Sequence, residues 1–218
     1  LNANSASITF RKPGSLLEQT VTVTKGTYTN DPVYTWKVFT NGSKITGYIN
    51  LARFSRLANA KPGMESAFSE FASKGVNNLG IDLRYNGGGY VETFEHLANL
   101  IAPADKTGQV MYKETFNKLL QEGKAPILKT IPLMGSDGLP QKFPDGTVKT
   151  SANVDFSTAK NTRYFKKAGT LGAITKVVFI VSRSSASASE LTINSLRPHM
   201  SIALIGDTTY GKPVGFFG

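Results

Sequence analysis

The 218 residues contain no cysteine, which excludes disulfides, thiolate metal sites and cysteine nucleophiles, and leaves the compartment open. Histidine is nearly absent too. His96 and His199 are the whole complement, neither set in a metal-ligand pattern, so no metal and no cofactor is expected. No apolar run approaches the roughly 18–20 residues that a membrane span needs. The opening LNANSASITF also lacks the basic and apolar regions of a signal peptide, so the chain reads as a mature, soluble form without a membrane span. With 40% hydrophobic and 18% charged residues, the low-hydrophobicity signature of disorder is missing.

At this length the chain accommodates one full domain and part of a second. The formal charge is +10, but its 25 Lys and Arg are scattered, Lys166-Lys167 being the nearest approach to a cluster. Scatter of this kind describes a solvated surface, and no nucleic-acid partner is expected.

Short β-patterned runs open the chain at 8–10, 20–24, 33–39 and 45–51, punctuated by Pro13-Gly14 and Asn41-Gly42. Met64, Ala67, Phe68, Phe71 and Ala72 then share one helical face, closed by Gly75. A buried strand is expected at 79–84. Behind it come three glycines and a second helix with Val91, Phe94, Ala98 and Ile101 on one face. Residues 103–170 turn polar and rich in Pro and Gly, with a short helix expected around 112–123, and read as a long insertion or lid. Beyond it, 176–182 is an apolar strand, 188–197 a helix stopped by Pro198, and 201–206 another strand. Alternating helices and apolar strands imply an α/β fold with a mostly parallel sheet.

Three segments could carry chemistry. Asn86-Gly87-Gly88-Gly89 lies between a strand and a helix, where glycines let the backbone approach a ligand. A dinucleotide-binding pattern begun at Gly87 fails, because Glu92 stands where its last glycine belongs. Ser184-Ser185-Ala186-Ser187-Ala188-Ser189-Glu190 puts hydroxyls at another strand-to-helix passage, as in a nucleophile elbow. Ser187-x-x-Glu190 is equally a capping box, which needs no catalysis to explain it. Gly206 to Lys212 nearly spells a phosphate-binding loop, yet Pro213 replaces the hydroxyl that would reach magnesium. Lys212 is then either a surface lysine or a working one.

Taken in order, IDLRYNGGG, VFIVSRSSASASE and GDTTYGKPVG resemble the carboxyl-terminal processing, or tail-specific, protease family over roughly 45–218. In that family the middle serine of the S-A-S-A-S-E run is the nucleophile and a lysine 25 positions later is its base. Here 25 positions separate Ser187 from Lys212. The resemblance implies a ClpP/crotonase-like core and an acyl-enzyme formed on Ser187. It also implies an oxyanion hole made by the amides of Ala188 and of Gly88 or Gly87. To take a serine proton the lysine must be deprotonated, which desolvation in an apolar setting can bring about, and Tyr210, Phe216 and Phe217 are expected to supply that setting.

Many relatives orient the lysine with a polar residue eleven positions after the serine or four after the lysine. Pro198 and Phe216 stand there, so Glu190 or Thr209 is expected to take over. Residues 1–30 resemble the last strands of a PDZ module, with 31–218 as the protease core, and this chain reads as a fragment of a longer protein. The implied substrate is an unfolded or C-terminal polypeptide segment, the implied location the periplasm or cell envelope, and a homo-oligomer is compatible with the family. A non-catalytic peptide-binding relative of the same fold is the alternative.

Overall fold

In the computed structural model, which describes residues 4–27, 30–135, 137–172, 174 and 176–215, the chain divides between Asp31 and Pro32. The first unit is an antiparallel hairpin of β1 (Ser5–Arg11) and β2 (Glu18–Thr24). Alternation sorts its two faces. Ala6 lies opposite Val23 and Ile8 opposite Val21 on one face. On the other, the hydroxyls of Ser7 and Thr22 meet at 3.1 Å and those of Thr9 and Thr20 at 2.8 Å.

The second unit is built on a five-stranded sheet. Its strands are β3 (Val33–Asn41), β4 (Lys44–Leu51), β5 (Asn78–Asp82), β8 (Lys176–Val181) and β9 (Ser201–Gly206), in the spatial order β3-β4-β5-β8-β9. Only β3 runs antiparallel, joined to β4 through the turn at Gly42, and the other three pairings are parallel. Between strands come α1 (Leu57–Ser73), α2 (Val91–Ile101) and α4 (Ala188–Leu196). Residues 102–175 hold β6 (Val110–Lys113), α3 (Lys118–Gln121) and β7 (Thr162–Tyr164), with β6 and β7 paired antiparallel.

Apolar packing follows the pleat. Ile49, Ile81 and Phe179 sit in one cross-strand row and are all buried, together with Phe68 and Phe71 of α1, Phe94 and Leu97 of α2, and Ile193 and Leu196 of α4. The neighbouring row, Tyr48, Gly80 and Val178, points to the opposite face and is only half-buried. Strand β4 keeps glycine at 47 because a helix lies against it there. A Cβ on Gly47 would stand 2.9 Å from Cγ of the buried Phe71.

Helix α1 runs from Leu57, buries Met64, Ala67, Phe68 and Phe71 on the expected face, and passes through Pro62 and Gly63. Proline loses one intrahelical hydrogen bond there. Burial of Ala60 against the core and a carboxylate from Glu92 on the Leu57 amide, at 3.0 Å, hold the first turn in place. The helix expected around 112–123 shrinks to Lys118–Gln121. Tyr112 belongs instead to β6, where its ring meets Phe94 at 5.3 Å and its hydroxyl donates to Glu95 Oε1 at 2.6 Å.

Parallel order has one consequence for the site: β5 and β8 are neighbours and end at the same edge of the sheet. The loops that follow them therefore emerge side by side, as ligand-binding loops do in open α/β sheets. Substituting Gly47→Ala should push Phe71 out of its rotamer and cost about 1–3 kcal/mol in urea unfolding. Gly172→Ala, which meets open space, should change stability by less than about 0.5 kcal/mol. Equal effects of the two would mean that α1 does not press on β4.

Candidate active site

Strand β5 ends in a buried carboxylate. Asp82 accepts from Arg84 Nε at 3.0 Å, from Arg84 Nη2 at 2.7 Å and from the Tyr48 hydroxyl at 2.8 Å. Burial pushes its pKa up, but the bonds from Arg84 and Tyr48 outweigh that and hold it below the ordinary aspartate value. From this anchor the chain turns into the glycine loop. Asn86, fully buried, donates to Leu51 O at 2.9 Å, while its side-chain oxygen accepts the Gly88 amide at 2.9 Å. Its main-chain carbonyl reaches across to the serine loop, accepting Ala186 N–H at 3.2 Å and the Ser189 hydroxyl at 2.8 Å. Ser185, also buried, donates to Leu83 O at 2.7 Å.

The two loops touch. Gly88 has φ of +101°, and a Cβ there would lie 2.7 Å from Ser187 Cβ and 3.0 Å from Ala188 N. Glycine is thus the residue that lets the first loop lie on the second. Ser187 has φ 56° and ψ −115°, and no other non-glycine among the described residues has a positive φ. That is the first central position of a type II′ turn, ordinarily glycine. A residue with a side chain is held there only when its surroundings enforce it, and such outliers gather at reactive sites.

Glu190 does the enforcing. From the first turn of α4, its carboxylate accepts Ser187 N–H at 2.9 Å, Gly211 N–H at 2.6 Å and Lys212 N–H at 3.0 Å, and it also bonds the side chain of Thr209. Burial would raise its pKa. The Thr209 side chain and the three amides overcome that and hold Glu190 below the ordinary glutamate value. The turn carrying Lys212 is further fastened by Tyr210 N–H, which donates to Ser185 O at 2.9 Å.

Ser187 and Lys212 consequently line one cleft of about 640 Å³, with Gly87, Gly88, Gly89, Tyr85, Tyr90 and residues 52–56. Both are half-buried. Among the described residues no acceptor takes the N–H of Ala188, Gly87 or Gly89, whereas that of Gly88 is engaged by Asn86. A model of peptidase family S41 matches residues 45–215. The chain belongs to peptidase family S41.

A carboxyl-terminal-processing protease from a Picosynechococcus strain is 34% identical to this S41 chain over 97 residues, covering 44% of the chain and 23% of that protein. Among solved structures, a putative S41 protease from Bacteroides fragilis aligns with a TM-score of 0.59 and 21% identity, over 96% of this chain and 48% of that one. The photosystem II D1 C-terminal processing protease aligns with a TM-score of 0.51 and 20% identity, over 95% and 44%. At these identities the structures speak for the fold. The chain spans about half or less of the length of these relatives.

Other expected site residues fall differently. Tyr210 is 72% exposed, so most of its surface meets solvent instead of walling the lysine, and its amide bonds Ser185 O; Phe216 and Phe217 lie outside the described residues. Neither histidine lines the cleft, and His199 bonds Gln109 Oε1 at 3.1 Å and Val110 O at 3.0 Å. Sequence reasoning missed Asn86 and Ser185 as organisers of the loops. Their only signal was position, one residue before the glycines and two before the key serine.

Replacing Ser187 by glycine should relieve the turn and stabilise the fold by about 1 kcal/mol, strain relief exceeding the added freedom of the unfolded chain. A midpoint at or below that of wild type would show that any strain in the turn is no larger than the entropy cost of glycine. Glu190→Gln should lower stability by about 2–3 kcal/mol at neutral pH, since an amide nitrogen cannot accept from backbone N–H groups. The folded pKa of Glu190 lies below its unfolded value. Its contribution is thus complete above the unfolded pKa, about 4.3, and fades as pH falls through the folded one. Paired urea titrations should therefore show the variant's deficit narrowing in acid; a deficit constant with pH would contradict this role.

Proposed function

We propose that the chain is the catalytic core of a serine endopeptidase acting on unfolded or C-terminal polypeptide segments through Ser187 and Lys212. The observation that carries this reading is the glycine-like backbone of Ser187, held against the glycine loop in a cleft that Lys212 also lines. A serine that served only as a helix cap would sit in ordinary extended backbone.

In the proposed reaction the neutral amine of Lys212 takes the Ser187 hydroxyl proton as Oγ attacks the peptide carbonyl carbon. The carbonyl π electrons move to oxygen, and that oxyanion is met by Ala188 N–H and a glycine-loop amide. Because the Gly88 amide is engaged by Asn86, Gly87 is assigned the second donor and Gly88 the close approach. Collapse expels the amine, which leaves with the proton from Lys212. Water then attacks the acyl carbon, giving a proton to Lys212, and as the acyl–Oγ bond breaks Lys212 returns that proton to Oγ, releasing the acid product and restoring both serine and neutral amine. Glu190 and Thr209 act here as positioning residues, fixing the lysine through its backbone.

Around this core, residues 1–30 are assigned to the end of a PDZ-like module, for which the hairpin of β1 and β2 is the support, and residues 103–170 to an insertion or lid. Envelope localisation rests on resemblance. Among the described residues no helix is long and apolar enough to cross a membrane.

The test is degradation of casein by wild type, Ser187→Ala and Lys212→Ala, purified identically and matched by circular dichroism. Each substitution should lower the rate by about three orders of magnitude or more. Proteolysis surviving both changes would dismiss the dyad, and a well-folded wild type without activity would favour a peptide-binding protein.

A further inference from the structure

Besides Lys212, the cleft is lined by two cations, Arg53 and Arg56, and by no carboxylate. Both arginines are exposed. They flank Phe54 in the loop between β4 and α1, and that loop is bound to the reactive turns. Phe54 N–H donates to Gly88 O at 3.0 Å, Phe54 O accepts Tyr90 N–H at 2.7 Å, and the Thr93 hydroxyl donates to Ser55 O at 2.6 Å. A Cβ on Gly89 would come within 1.9 Å of Phe54 O, so the loop lies directly on the glycine loop, which lies in turn on Ser187.

The cleft arginines differ in availability from their neighbour Arg84. That guanidinium is taken up by Asp82. Arg53 forms no ion pair among the described residues, and Arg56 donates through Nε to the Tyr90 hydroxyl at 3.4 Å. The acidic group that acts on Arg56 from nearby is Glu92, whose carboxylate accepts the Leu57 amide. Two guanidinium groups thus face a partly enclosed cleft with donors to spare. Guanidinium forks match a carboxylate in shape as well as charge.

We propose that Arg53 and Arg56 make this cleft selective for a peptide that carries a carboxylate close to the bond to be cut. This rests on the peptidase reading above and adds a substrate class to it. The carboxylate is either an acidic side chain or a free chain terminus, since both present the same two oxygens. A bound segment whose backbone is fixed by the glycine loop brings the residues beside its reacting carbonyl past the arginines.

Matched fluorogenic peptides decide the matter. In one series glutamate is stepped through the positions on either side of the scissile bond of an otherwise neutral, amidated peptide. A second series carries glutamine throughout and ends in either a free carboxylate or an amide. For wild type, kcat/KM should favour the carboxylate-bearing member of at least one pair by about tenfold. The favoured pair tells side chain from terminus. In Arg53→Gln/Arg56→Gln the same ratio should fall towards one. A wild-type ratio near one in every pair, or a preference that survives the double substitution, overturns the proposal. If wild type cleaves no peptide at all, the peptidase reading fails by itself, and fluorescence anisotropy with the same pairs judges the arginines. Preferential binding of the carboxylate peptide that is lost in the double variant upholds the site, and equal binding of both members dismisses it.

Discussion

One carboxylate holds the candidate site together. The hydroxyl of Ser187 arrives after β8 and the amine of Lys212 after β9, so no single secondary-structure element fixes both. Glu190 closes that gap by accepting an amide from each turn at once, at 2.9 and 3.0 Å. Its place in the first turn of α4 suits a negative charge, which the N-terminal end of a helix dipole favours. Helix start, strained turn and lysine turn therefore share one partner. Loss of its charge would leave fewer acceptor sites for these part-buried donors.

Around this carboxylate lies a layer of small polar groups rather than an apolar core. Asn86 ties the end of β4 to both loops, Ser185 bonds the end of β5, and Ser189 reaches back to the glycine loop. Such a network is valuable only when complete, because a buried polar group without a partner costs more than its bond contributes. The division of labour is spatial. Phenylalanines 68, 71, 94 and 179 supply burial among the helices and strands beneath, while directional bonds above them set the geometry that chemistry would need.

Much of this was legible in the order of residues. Apolar runs at 176–182 and 201–206, broken by small residues and an amphipathic stretch, gave the parallel strands and the helix between them. The glycines at 87–89 and the serine at 187 announced the two loops. What a linear reading could not supply was convergence. Ser187 and Glu190 spelled a capping box, and resemblance made Glu190 a candidate to orient the lysine, but nothing in the sequence shows that it does so by accepting the amides at 211 and 212. The apolar face from Met64 onward gave no start for α1, which tertiary contacts extend through Pro62 and Gly63 to Leu57. Tyr210 looked like a wall for the lysine because it is aromatic and two residues away, yet the fold leaves it largely in solvent.

The unusual backbone of Ser187 also has an evolutionary reading. If Ser187 is the nucleophile proposed above, the residue the chemistry needs at this turn is not the residue the turn would choose, so selection for chemistry and selection for stability pull in different directions at one codon. A lineage that kept the fold but stopped cutting peptides would gain by drifting to glycine there, while Glu190, still required to close the helix and hold the neighbouring turn, would stay. Among descendants of this fold, glycine at 187 beside a retained glutamate at 190 would therefore mark a scaffold that has given up its reaction and kept its shape.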